Sequence, residues 1–226
     1  LIKDIKENRH FQEREMLLTT TSYKGEVRAK LEGLLMPYLP GIRERVERQF
    51  ARDFREWRGS LYRISRQYEA WLRDKLGLEI RELDRTCSED IFRFVRKMAD
   101  YYQYAARQFR QKMDDKVYQA FGTHLPEAYW QVDFTTLDHP DVSIYRAFDS
   151  HLDMLLFFLP VQWFRKYFHR HFSRQIALEA EKNLHRYISD MTGKIILSLD
   201  QMQKQAASFI QNEVRSVEDI LQNATD

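Results

Sequence analysis

Glycine and proline are few in this chain and suggest four breaks, and the stretches between them carry a helical apolar pattern. The breaks are Met36-Pro37-Tyr38-Leu39-Pro40-Gly41, Gly77 with the segment to Ser88, the segment from Gly122 to Pro140, and Pro160. Seven Gly and five Pro in 226 residues are too few for a β architecture, which needs turn residues after each short strand. The fold expected is therefore all-α: an elongated antiparallel bundle of long helices, stalk-like, with a hydrophobic tip. A hydrophobic share of 43% is enough for a real core.

Phe50, Phe54, Trp57, Leu61, Ile64, Tyr68 and Trp71 are spaced alternately by four and three, the heptad seam of a packed helix. One helix over residues 42–76 would be roughly 50 Å long at 1.5 Å per residue. Ile91, Val95, Met98, Tyr102, Ala105 and Phe109 mark a second helix over 88–121, with Thr86 or Ser88 as its cap. Leu184, Tyr187, Met191, Ile195, Leu199, Met202 and Val217 mark a return helix over 161–222, Pro160 suiting its first turn. Gly193 lies inside that helix and softens it by about 1 kcal/mol relative to Ala. Residues 1–36 read as helix on either side of a weakening "TTTSYKG", and 122–142 as a loop. Together these make one helical bundle over 1–226.

Residues 143–164 are the exception to a densely charged chain. From Met154 to Phe164 only Gln162 is polar, and Arg165, Lys166, Arg170 and Arg174 follow with no acid before Glu179. An amphipathic bundle helix shows polar residues every few positions, so an all-apolar run implies burial on every side or contact with lipid. Two readings stand. In one, Leu155, Leu156, Phe157, Phe158, Leu159, Trp163 and Phe164 form a tip that enters a bilayer interface. The cations Arg165, Lys166, Arg170 and Arg174 then meet anionic lipid, with Tyr167 and Phe168 beside them. In the other, the same run is a buried connector or docks a protein partner. No apolar run reaches the roughly 18 residues of a spanning helix.

Other chemistry is sparse. There is no phosphate-binding glycine loop and no nucleophile elbow. Glu7 and His10 form a single Glu-x-x-His pair, where a bundle metal site needs two such pairs and further carboxylates. Glu181 and His185 sit one turn apart and read as a surface pair. Tyr101, Tyr102 and Tyr104 with Arg107 and Arg110 suggest base stacking, but helical spacing and a net charge of +2 favour core and boundary roles. No catalytic, cofactor-binding or metal-ligating residue is assigned. The lone Cys87 leaves no intramolecular disulfide and suits a reducing compartment; with the apolar run and its basic collar, the expectation is a cytoplasmic, peripherally membrane-associated protein.

The segment from Pro140 to Met191 resembles the distal part of bacterial dynamin-like proteins. The matching pieces are Pro140-Asp141-Val142, Phe148-Asp149, Leu155 to Pro160, Phe164-Arg165, His169 to Phe172, and Glu181-Lys182-Asn183-Leu184 with Arg186. The resemblance implies a helical stalk and membrane tip of a large GTPase that binds and remodels membranes. It also implies a GTPase domain of the same parent chain as a partner; a homo-oligomer is a separate expectation, which the seam from Phe50 to Trp71 would serve as a dimerisation surface. GTP and Mg would belong to that domain, which would have to precede Leu1; this chain by itself is not expected to be an enzyme. The alternative from another class is a soluble helical interaction or dimerisation module using the same apolar run.

Overall fold

A computed structural model describes residues 1–126, 128–132 and 165–223. Four α-helices make up nearly all of them: α1 (Ile2–Leu35), α2 (Leu39–Asp53), α3 (Leu61–Phe121) and α4 (Arg165–Asn223), with a 3-10 turn at Met36–Tyr38 between the first two. No strand occurs among the described residues, so the chain is all-α. None of these helices is long and apolar enough to cross a membrane.

The chain divides into two compact units, and α1, α3 and α4 each contribute to both. In the first unit (1–28, 89–137 and 192–226), three helices share a core built from Met16 and Val27 of α1, Tyr102 and Phe109 of α3, and Leu199 and Met202 of α4. Here α1 is antiparallel to α3, since Thr20 meets Tyr102 while Tyr23 reaches the Phe94 carbonyl. It is also antiparallel to α4, since Lys6 pairs with Glu218 and Lys24 with Asp200.

In the second unit (29–88 and 138–191), α2 folds back on α3 as a hairpin. Arg45 holds Glu79 at 2.6 Å, and the Trp71 indole N–H donates to Asp53 at 2.7 Å. α2 is also antiparallel to α4: Arg43 meets Glu181, and the Phe50 ring lies 5.3 Å from His169. Within this unit α3 and α4 run parallel, Tyr68 reaching Phe172 and Asp84 reaching Tyr187. Helices consecutive in sequence can be parallel here because the segment 122–164 separates them.

Three expectations are corrected. The helix expected over 42–76 is two helices: residues 54–60 leave helical geometry, and Gly59 sits at φ +128. The apolar seam from Phe50 to Trp71 is therefore the inside of a hairpin, not a stripe along one helix. Gly77 is no break, and Thr86 and Ser88 cap nothing. α3 runs through all three, the Thr86 and Ser88 hydroxyls donating back to the carbonyls of Glu82 and Arg85. "TTTSYKG" does not interrupt α1 for the same reason: Thr20 and Thr21 donate to the Met16 and Leu17 carbonyls at 2.6 and 2.8 Å. Along α3 the buried positions Leu61, Ile64, Tyr68, Leu72, Leu76 and Ile80 advance mostly by four, so a strict heptad does not describe it.

The breaks at Met36 to Gly41 and at Gly122 hold. α3 ends at Phe121, and Gly122 takes φ +70, the left-handed position that closes helices without a Cβ penalty. The chain then turns back along α3. The Leu125 N–H donates to Asp114 at 2.6 Å, and Trp130 stacks on Phe209 with centroids 5.1 Å apart.

Candidate basic face at the start of α4

The apolar run lies outside the described residues, and with it Leu155, Leu156, Phe157, Phe158, Leu159, Trp163 and Phe164. The basic collar is described. It opens α4 in the second unit, where the α2–α3 turn also lies. An aromatic cluster fixes both in place. Phe50 contacts Phe54, Trp57, Tyr68, Trp71, His169 and Phe172, all with centroids within 6.1 Å. Tilted and edge-on geometries of this kind add to the area each ring buries. Phe168 and Phe172, each at most 2% exposed, lie one turn apart on one stripe of α4, and Phe172 packs into this cluster. Phe168 is thus a core residue and is unavailable to a membrane surface, contrary to its sequence reading; Tyr167, 66% exposed, points the other way.

The four expected lipid contacts separate into two kinds. Arg165 is half-buried, donates to the Phe54 carbonyl, and holds its guanidinium 5.3 Å from the centre of the Phe54 ring. It ties the start of α4 to the turn. Lys166, Arg170 and Arg174 are exposed and recur every four residues, so they form a single ridge. No carboxylate among the described residues pairs with any of the three.

The sequence reading missed the other half of this face. Arg52, Arg55, Arg58, Arg63 and Arg66 flank the α2–α3 turn and are all exposed. Arg58 donates to the carbonyls of Arg55 and Trp57 and so closes the turn; Arg66 lies over the Tyr62 ring at 5.9 Å. None of the five forms an ion pair among the described residues. Further back on α2, by contrast, Arg43, Arg45 and Arg48 all hold a glutamate. The signal is present as "RDFREWRGSLYRISR", which a single helix over 42–76 would spread along its length.

The remaining candidates disperse. Glu181 pairs with Arg43 at 2.6 Å rather than with His185. Tyr102 is fully buried and shares a hydrogen bond with Thr20, so it is not a stacking platform. Among the described residues no group of three or more His, Cys, Asp or Glu converges as a metal site. No protein-family model, no curated protein and no solved structure matches the chain.

Proposed function

We propose that this chain is a helical membrane-binding module, the stalk and tip of a dynamin-like protein. Lys166, Arg170 and Arg174 hold anionic lipid, and the run from Leu155 to Phe164 enters the bilayer interface. One observation carries this reading: an exposed ridge of three cations, none of them paired with a carboxylate among the described residues, directly follows, in sequence, the chain's one long apolar run. Cations near an anionic leaflet contribute about 1 kcal/mol each, and one apolar anchor with a basic patch gives stable peripheral attachment. The dynamin-like assignment rests on the resemblance over Pro140 to Met191. In that scheme the helices transmit the motion of a GTPase domain carried by a longer parent chain, and this chain has no catalytic part.

Co-sedimentation with vesicles of rising anionic lipid content, at low and physiological salt, tests the reading. Wild-type chain is expected to pellet with anionic vesicles. Leu156→Glu with Phe157→Glu is expected to stay in the supernatant with its helicity intact. Binding that survives this double change defeats the insertion mechanism. Failure of the wild type to pellet, with concentration-dependent self-association instead, favours a soluble dimerisation module.

A further inference from the structure

We propose that the α2–α3 turn is a second phosphate-binding lobe of the same membrane face, carried by Arg52, Arg55, Arg63 and Arg66. This rests on the membrane reading above and extends it to a part of the chain far away in sequence. Residues 52–66 and 165–174 hold nine lysines and arginines against two acids, Asp53 and Glu56, while the whole chain carries only +2. Asp53 is already engaged by the Trp71 indole. The second unit brings the two segments together through Arg165 on Phe54 and through the packing of Phe54 against His169 and Phe172.

Charge of one sign is costly to gather without a partner. Further back on α2, Arg43, Arg45 and Arg48 each hold a glutamate. The turn arginines pair with no carboxylate among the described residues, and all five cations of the turn are arginine. The planar guanidinium fork binds phosphate oxygens two at a time, which a lysine ammonium does not. Gly59 at φ +128 reverses the chain, and Arg58 is spent on the carbonyls of Arg55 and Trp57, leaving Arg55, Arg63 and Arg66 outward. A bilayer is favoured over nucleic acid by the neighbouring exposed rings. Tyr62 and Tyr167, 55% and 66% exposed, lie among the cations as amphipathic rings do at a headgroup layer.

The test uses the whole chain and phosphatidylcholine vesicles with and without phosphatidylserine. One variant carries Arg55→Gln, Arg63→Gln and Arg66→Gln; the other carries Lys166→Gln, Arg170→Gln and Arg174→Gln. Each neutralised cation near the surface should weaken binding about fivefold. The turn variant is therefore expected to bind phosphatidylserine vesicles about 100-fold more weakly, with its circular dichroism and thermal midpoint unchanged. If the α4 variant loses binding while the turn variant keeps it, the turn is not part of the face and the membrane reading survives. If wild-type chain ignores the vesicles, both fall together. Retention of duplex RNA without vesicle binding would assign the face to nucleic acid and overturn the proposal.

Discussion

Tyr68 donates its phenolic hydrogen to the backbone carbonyl of Phe172 at 2.8 Å while the two rings stack with centroids 4.3 Å apart. The pair joins α3 to α4 in the second unit, and it lies next to Phe50 at the centre of the aromatic cluster. Its two parts can be separated by substitution. Tyr68→Phe keeps the stack and removes the donor, which should cost about 1 kcal/mol. Tyr68→Ala also leaves a cavity and should cost about 3–5 kcal/mol. Urea midpoints of the two variants check this, and equal losses would mean that the stack contributes nothing.

Three buried phenols should set the alkaline limit of the fold. Burial pushes Tyr102 up to about 12, and it pushes Tyr68 and Tyr187 up further, the Asp84 carboxylate adding to the effect at Tyr187. The folded chain holds these groups neutral. Their contribution to stability is complete below the unfolded tyrosine value of about 10 and disappears as pH rises through the folded values. These phenols should ionise only together with loss of helix. Phenolate absorbance recorded beside circular dichroism tests this; complete ionisation near pH 10 of a chain that stays helical would sink it.

Asp114 fastens the segment after Gly122. It accepts the Leu125 N–H at 2.6 Å and lies 2.8 Å from the His124 imidazole, and these contacts hold its carboxyl below the usual aspartate range, the Leu125 bond most of all. A depressed acid contributes stability above its unfolded value, and that contribution is lost as pH falls through the folded value. The docked segment should therefore loosen only below the ordinary carboxylate range near pH ~4. Amide exchange at Leu125 should be slow at neutral pH and fast in Asp114→Ala. Equal exchange in the two proteins would show that this contact does not hold the segment.

The long helices were legible because burial repeats along them: Ile91, Val95, Met98, Tyr102 and Phe109 face the core as their spacing implied. What misled was punctuation. Gly77 looked like a break because glycine disfavours helix, yet packing of Leu72, Leu76 and Ile80 carries α3 through it. The true turn has one glycine and no proline, and its rings continue a four-three spacing across it by chance. Periodicity cannot tell a seam along one helix from two seams facing each other in a hairpin. The collar on α4 was visible as a charge run. The turn arginines were not recognised with it, because only the hairpin places residues 52–66 beside residue 165.

Those two glycines give a direct check on this account, with Gly193 as control. At Gly59, φ is +128 and an added Cβ would also meet the Arg63 side chain at 3.4 Å. An L-residue is strained there whatever the space around it, so Gly59→Ala should lose about 1–3 kcal/mol. Gly193 lies inside α4 with nothing within 4 Å of an added Cβ. There the substitution only removes glycine's helix penalty and should gain up to about 1 kcal/mol. Gly77 is also helical, but its Cβ would touch the movable Arg81 guanidinium at 3.4 Å, so Gly77→Ala should gain less. Thermal midpoints of the three variants should fall, rise, and rise slightly. A rise for Gly59→Ala would mean that residues 54–60 prefer helix, and that α2 and α3 are one continuous element after all. The arginine lobe would then be strung along a single helix, away from the start of α4.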